Sequence, residues 1–385
     1  MTLRTNCLVC GQDALQEIEA FRSLPRVTSD CKPYPSGGRL LACESCGGIQ
    51  KLADADWFRE IDEIYGGYEI YKLSDGDEQL IFTDAGPVPR SQRLVDFLKQ
   101  TGELQESGRL IDIGCGNGAA LARYSRALPK WELYGSELSG RALPELRSLP
   151  NFVDLYCMPI GDIPGKFELV SMIHSLEHMP SPGKALEDVV RLLGKGGKLF
   201  VEVPDVETSP FDILVADHLS HFSRQTLAHL ACRAGLSVAH ISNSVLPKEI
   251  TILATAGDSK ASVPVAQTGI DLAASTVRWL GELLELARQL AKTDRFGIFG
   301  TSISGMWLFG ALGDRVSFFV DEDPGRVGRE YAGKPILSPL DVPSGATVFI
   351  PLAPAVAAKV AERYADSPAR FVPSPAFVDE SAAPR

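Results

Sequence analysis

The sequence predicts an α/β protein in three parts: a small N-terminal module pinned by metal, a mostly parallel sheet covered on both faces by helices, and a second, smaller α/β unit. Three observations carry this expectation. Two Cys-x-x-Cys pairs stand near the N-terminus, apolar strand-like runs alternate with helical patterns from about Pro89 to Gly257, and the same alternation starts again after about Ala261. A length of 385 residues fits two or three domains, and 45% apolar residues are ample for real cores.

Taken in chain order, Cys7-Leu-Val-Cys10 and Cys43-Glu-Ser-Cys46 are two knuckles separated by 32 residues. Each can clasp one metal from a tight turn, and four thiolates then make a closed tetrahedral site, which points to structural Zn2+. The alternatives are disulfides, which suit a cytosolic chain poorly, or plain buried thiols, which leave the paired spacing unexplained. Up to about Asp75 the chain is rich in Gly, Pro and aromatics with few periodic runs, so residues 1–75 read as a zinc-held first domain. Residues 76–257 read as the sheet domain. Its strand runs are Arg109 to Ile113, Trp131 to Ser136, Phe152 to Cys157, Phe167 to Ile173 and Lys198 to Val203. Its crossovers are Gly118 to Leu128, Gly140 to Ser148 and Pro182 to Leu193, the last ended by Gly194-Lys-Gly-Gly197. Residues 258–385 make the third domain: a long helix from Ile270 to Ala291, a strand-turn-helix-strand run from Arg295 to Val320, a strand from Thr347 to Leu352 and a helix from Pro354 to Tyr364.

The most informative stretch is Leu110-Ile-Asp112-Ile-Gly114-Cys115-Gly116-Asn-Gly118. An apolar strand ends in a carboxylate and enters a turn with glycine at every second position, where the backbone can approach a ligand closely. The spacing is not the Gly-x-Gly-x-x-Gly of a dinucleotide turn, and Asp112 would repel a pyrophosphate while suiting a ligand with an ammonium and a sulfonium. Glu137 ends the next strand 19 residues after Gly118, placed to accept both hydroxyls of a ribose. Together these favour S-adenosylmethionine over a purely structural turn.

At this point the chain resembles the class I S-adenosylmethionine-dependent methyltransferases, which have a Rossmann-like seven-stranded sheet. Within them it is similar to the zinc-containing, three-domain branch that includes nucleotide-sugar C-methyltransferases. The residues that carry the resemblance are the Cys pairs, the Asp112 to Gly118 loop, Glu137, Ser175-Leu-Glu-His178-Met-Pro, Asp217-His218-Leu-Ser-His221-Phe-Ser and Phe296-Gly-Ile-Phe-Gly300. The resemblance implies strand order 3-2-1-4-5-7-6 with the seventh strand antiparallel, and a C-terminal Rossmann-like unit that helps hold the acceptor. It implies cofactor contacts from Gly114, Cys115, Gly116, Gly118, Leu138, Met158, Pro159 and His174. Met158 stands where the family often has Asp. In the similar sugar C-methyltransferases a Tyr-x-Glu-His segment is catalytic; here His218 is kept, the Glu is shortened to Asp217 and the Tyr position is Val215. Two of three roles survive.

Methyl transfer to a hydroxyl or an enolisable carbon needs a base, and His, with an ordinary pKa of about 6.5, suits that task near neutrality. The candidates are His218, beside Asp217, then His178 and His221, with Tyr65, Tyr68 and Tyr71 in reach of an acceptor. Gly300-Thr-Ser-Ile-Ser-Gly305 gives only a weak dinucleotide signal.

Thirty-eight basic against 49 acidic residues give a net charge of -11, which disfavours nucleic acid and anionic membranes as partners. The first residues lack a secretory pattern and the uncharged stretch Phe296 to Gly313 is short and glycine-broken, so a cytoplasmic chain with no membrane span is expected. The expected partner is a small-molecule acceptor, possibly a nucleotide sugar. Another natural-product or polysaccharide intermediate, or a non-catalytic zinc-bearing nucleotide-binding scaffold, stay open as alternatives, and so does monomer against homodimer.

Overall fold

The computed structural model describes residues 6–68, 80–83, 86–257 and 269–377. The composition shifts near Asp75 and Ala261, and Tyr71, lie outside the described residues.

The N-terminal module contains β1 (Leu15–Glu17), β2 (Arg26–Val27), β3 (Pro33–Tyr34), β4 (Leu40–Cys43) and β5 (Ile49–Lys51), followed by α1 (Ala55–Gly66). Helix α1 was not expected from the sequence. Asp54 starts it by accepting hydrogen bonds from the backbone N–H groups of Asp56 and Trp57, and it buries Trp57 and Ile64. A β6 (Leu80–Thr83) and β7 (Gly86–Pro89) pair then leads into α2 (Arg90–Gln100).

The central sheet is built from β8 (Gly108–Ile113), α3 (Ala119–Ala127), β9 (Trp131–Ser136), α4 (Leu143–Leu146), β10 (Phe152–Tyr156), β11 (Phe167–Ile173), α5 (Pro182–Leu192) and β12 (Leu193–Pro204). After a long loop holding β13 (Ser220–His221) come α6 (Arg224–Arg233), β14 (Leu236–Ser242) and β15 (Glu249–Ala256). Its seven strands lie in the order β10-β9-β8-β11-β12-β15-β14, parallel except that β15 runs antiparallel to both neighbours. This is the 3-2-1-4-5-7-6 arrangement. One face packs the apolar side chains of Ile111, Phe167, Leu186 and Phe222 together with Val9 and three of the knuckle cysteines; the other packs Leu94, Leu121, Tyr124, Trp131 and Phe200. The Gly194–Gly197 run does not end a helix. It sits inside β12 as a bulge, because Phe167 pairs with Leu193 and Leu169 with Lys198, and a Cβ at Gly197 would stand 2.7 Å from the Phe167 carbonyl.

The C-terminal unit has α7 (Gly269–Leu290), β16 (Phe296–Phe299), α8 (Ile303–Leu312), β17 (Phe318–Val320), β18 (Glu330–Tyr331), β19 (Lys334–Leu337), β20 (Thr347–Ile350), α9 (Pro354–Arg363) and β21 (Arg370–Pro373). The sheet order is β18-β19-β17-β16-β20-β21, parallel apart from the β18/β19 hairpin.

Two features tie the parts together. The strand β13 leaves the central segment and pairs with β5, closing a four-stranded sheet in the order β1-β4-β5-β13. A single core then runs through Phe21 and Leu40 of the module, Val215 of the long loop, Trp279 of α7, Trp307 of α8 and Phe349 of β20. Polar clasps follow the same path: the Trp307 indole N–H donates to the Pro25 carbonyl at 2.8 Å, and Tyr331 donates to the Cys31 carbonyl at 3.0 Å.

Candidate active site and metal centre

The four knuckle sulfurs converge. Cys7 Sγ lies 3.5 Å from Cys46 Sγ, Cys10 Sγ lies 3.6 Å from Cys43 Sγ, and all four fall within 4.8 Å of one another. Zinc–sulfur bonds of about 2.3 Å in a tetrahedron place sulfurs about 3.8 Å apart, so the donor set fits zinc. Tight turns make this possible: Gly11 and Gly47 adopt φ of 76° and 70°, and their N–H groups donate to the Cys7 and Cys43 carbonyls at 2.8 and 2.9 Å.

The glycine loop lies between β8 and α3. Gly114, Gly116 and Gly118 all have positive φ; a Cβ at Gly114 would come within 2.6 Å of Ser175 Cβ, and one at Gly118 within 2.3 Å of Leu146 Cδ2. Cys115 is buried beneath the loop. The Gly116 N–H donates to Glu137 Oε2 at 2.9 Å and the Leu138 N–H to Glu137 Oε1 at 2.8 Å, so this carboxylate is held at the loop with lone pairs to spare. Asp112 is buried and accepts from Ser171 Oγ at 2.6 Å; burial pushes its pKa up to about 7, with the Glu137 charge adding to the shift. A cation brought beside it would restore the carboxylate. Leu138 and Met158 follow the adjacent strands β9 and β10 and are 81% and 42% exposed, two apolar side chains open to solvent at one sheet edge. Pro159 follows Met158 directly.

The histidines are organised by a residue that sequence reasoning missed. Asp212, at 4% exposure, takes His218 Nδ1 at 2.7 Å on one oxygen and His221 Nδ1 at 2.6 Å on the other. Burial alone would raise its pKa, but the two imidazoles outweigh this and hold Asp212 well below the usual carboxylate range. Burial works against a charged His218, yet the Asp212 carboxylate overcomes it and raises that ring's pKa. Burial pushes His221 down to about 4, and His221 does not line the cleft; it backs Asp212 from behind. The only sequence signal for Asp212 is its place six residues before His218, with no repeat or spacing rule to flag it.

Asp217 does not touch the His218 ring. Its carboxylate accepts from Ser29 N at 2.8 Å and Ser29 Oγ at 2.5 Å, and lies 3.4 Å from His178 Nδ1. The sequence pairing of Asp217 with His218 is therefore replaced by Asp212 with His218 and by Asp217 with His178 and the N-terminal module. His178 also meets Tyr65 Oη at 3.1 Å and stacks edge-on against His218 with ring centres 4.6 Å apart; burial lowers its pKa. Tyr68 reaches Ser29 Oγ at 3.1 Å, and Lys51, buried under the loop, donates to the Val215 and His218 carbonyls.

A cleft of about 480 Å3 joins these parts. Asp112, Gly114, Cys115 and Gly116 of the glycine loop, His174, His178 and His218, and the Thr301–Ser304 turn with Arg326 all line it. Glu137, Leu138, Met158 and Pro159 lie beyond its lining. On the C-terminal side, Asp321 accepts from Thr301 Oγ1 at 3.0 Å, and Arg326 Nη1 stands 3.1 Å from that hydroxyl.

Residues 89–241 match a family model described as a methyltransferase domain. The chloroplastic tocopherol O-methyltransferase of Arabidopsis thaliana is 28% identical over 155 residues, 36% of this chain and 44% of that protein. A ubiquinone biosynthesis O-methyltransferase of Chromobacterium violaceum is 31% identical over 114 residues, 28% of this chain and 48% of that protein. The chain thus spans about half the length of these curated relatives. A solved S-adenosylmethionine-dependent methyltransferase from Clostridium acetobutylicum superposes with TM-score 0.38 and 15% identity, over 52% of this chain and 99% of that one. With the sheet order and the glycine loop of β8 already in place, residues 89–241 form a class I S-adenosylmethionine-dependent methyltransferase domain.

Proposed function

We propose that this protein transfers a methyl group from S-adenosylmethionine to a small-molecule acceptor, a nucleotide-linked or otherwise activated sugar, at a hydroxyl or at the carbon beside its keto group. The observation that carries the reading is the cleft: the glycine loop, the Asp212-held His218 and the Thr301–Ser304 turn of the C-terminal unit open into one volume.

In this reading Asp112 receives the cofactor's ammonium, Glu137 its ribose hydroxyls, and Leu138 and Met158 flank the adenine, with Pro159 shaping the turn. Gly114, Cys115, Gly116 and Gly118 supply close backbone approach, and His174 closes the methionine end. When bound, S-adenosylmethionine supplies an electrophilic methyl with a neutral leaving group, so the protein's task is alignment and removal of one proton. His218 takes that proton on Nε2, since Asp212 engages Nδ1 and favours the imidazolium that results. His178 is held by Tyr65 and Asp217 to orient the acceptor, and His221 fixes Asp212 from the far side. Arg326 and the Thr301–Ser304 turn suit the phosphates of an activated acceptor. Zn2+ on Cys7, Cys10, Cys43 and Cys46 is structural, because all four positions are filled by thiolates. A thiolate-held zinc suits a reducing compartment, and we place the protein in the cytoplasm.

The test incubates zinc-loaded protein with methyl-labelled S-adenosylmethionine, a panel of nucleotide sugars and a small-molecule extract, followed by mass spectrometry. Label on a sugar oxygen or carbon supports the reading. Label only on a non-sugar product moves the acceptor class, and no label despite tight S-adenosylhomocysteine binding refutes catalysis.

A further inference from the structure

We propose a divalent-cation site for a first-row ion such as Mn2+, formed by His174 Nε2, Glu202 and Glu249 where β11, β12 and β15 meet the cleft. Strand register assembles it. Ile173 pairs with Glu202, the His174 N–H donates to the Glu202 carbonyl at 2.9 Å, and Glu249 pairs with Pro204. His174 Nε2 lies 3.3 Å from Glu249 Oε2 and 4.0 Å from Glu202 Oε1, with ligand atoms of all three residues within 4.8 Å. An octahedral ion bonded at about 2.1 Å separates neighbouring ligands by about 3.0 Å and opposite ones by about 4.2 Å, which brackets the two His174 distances.

The unmet bonding capacity points to a missing ligand. His174 Nε2, Glu202 Oε2 and Glu249 Oε2 are all buried without a hydrogen-bond partner, and the Glu202 side chain is fully buried. Buried polar atoms are rarely left so, and here three belong to residues whose ligand atoms lie within 4.8 Å of one another. Their supports are already in place. His174 Nδ1 sits 3.0 Å from Glu177 Oε1, the outer carboxylate contact that directs the other ring nitrogen at a metal. Arg90 Nη2 engages Glu202 Oε1 at 2.8 Å and Glu249 Oε1 at 3.2 Å, and neither Oε2 atom has a hydrogen-bond partner. His174 holds φ of 49°, an unusual backbone for a residue with a side chain, and one that costs energy unless the ring is needed where it is. Glu202 and Glu249 share the one Arg90 guanidinium, which formally leaves one negative charge for a cation to meet.

Mixed imidazole and carboxylate donors suit a first-row ion more than Ca2+, and three protein ligands leave open positions. His174, Arg90 and Glu249 line the cleft, so those positions face the acceptor, where the ion would polarise an acceptor oxygen. That catalytic use rests on the methyl-transfer reading; the binding itself does not.

The experiment titrates full-length, zinc-loaded protein with Mn2+ in chelator-treated buffer and follows free Mn2+ by electron paramagnetic resonance. Glu249→Gln and His174→Ala run alongside, with retained zinc and an unchanged circular dichroism spectrum as the test of folding. One saturable Mn2+ per wild-type chain, weakened at least tenfold in a folded variant, is expected. No Mn2+ uptake by the wild type, or equal uptake by a folded variant, overturns the site. S-adenosylhomocysteine affinity, measured on the wild type and on Glu249→Gln, reports separately on the cofactor reading.

Discussion

Asp212→Asn removes one negative charge and little volume from a site where a single carboxylate holds two imidazoles at 2.7 and 2.6 Å. The side chain is almost fully buried, so water does not replace what is lost. A hydrogen bond to a charged group is worth about 1.5–3 kcal/mol, and the bond from His218 strengthens as that ring takes up the proton. Losing it therefore lowers turnover by roughly 10- to 150-fold, at about 1.4 kcal/mol per factor of ten. The same change removes what raises the His218 pKa, so the acidic limb of the rate profile moves to lower pH while its plateau falls. Single-turnover transfer of a labelled methyl, read from pH 5 to 9, measures both effects, and S-adenosylhomocysteine affinity should change by less than about threefold because Asp212 touches no glycine-loop residue. A variant with an unchanged plateau and an unmoved limb would refute the pairing of Asp212 with His218 as the working base.

Glu137→Ala should weaken S-adenosylhomocysteine binding by at least roughly tenfold in calorimetry, since it deletes the carboxylate that holds Gly116 and that we propose receives the ribose; unchanged affinity would exclude Glu137 from the cofactor site. Cys46→Ser should release bound zinc, lower the melting midpoint by roughly 10 °C, and reduce transfer as well, because β5 of the zinc module pairs with the strand that carries His221. Full activity in the metal-free variant would break that link. Buried His221 has a folded pKa of about 4 against about 6.5 unfolded, so its contribution is complete above pH 6.5 and is lost as pH falls toward 4, by about 3 kcal/mol in all. His218, with its pKa raised, acts in the opposite sense as pH rises, so His221→Gln should flatten the acid side of the stability curve only.

The strands of the central sheet were readable because each parallel strand is a short apolar run bounded by turn residues, and the loop from Asp112 to Gly118 was readable as the turn between the first strand and its helix because its glycines take positive φ. The Cys pairs were readable for the same reason: two short spacings bring four sulfurs into one cluster. What the sequence hid is what long-range packing decides. Helix α1 is set by the Asp54 cap and by Trp57 reaching the Ala216 carbonyl, a contact across 159 positions. The placement of Ser220–His221 as the fourth strand of the N-terminal sheet has no local signature, because two residues cannot show an alternation. The same holds for the partner of His218. Asp217 is adjacent in sequence, but the turn at Val215 to His218 sends its carboxylate to Ser29, and Asp212, one turn earlier, takes the inward place. Glu202 and Glu249 lie within apolar strands, where a buried carboxylate is legible only once neighbouring strands bring them together.

His218→Ala, compared with wild type in a single-turnover methyl-transfer assay beside S-adenosylhomocysteine calorimetry, tests the central claim most directly. Cofactor affinity is expected within about threefold of wild type and transfer reduced by at least roughly 100-fold, the scale of a lost general base. Transfer at the wild-type rate with intact cofactor binding would contradict it.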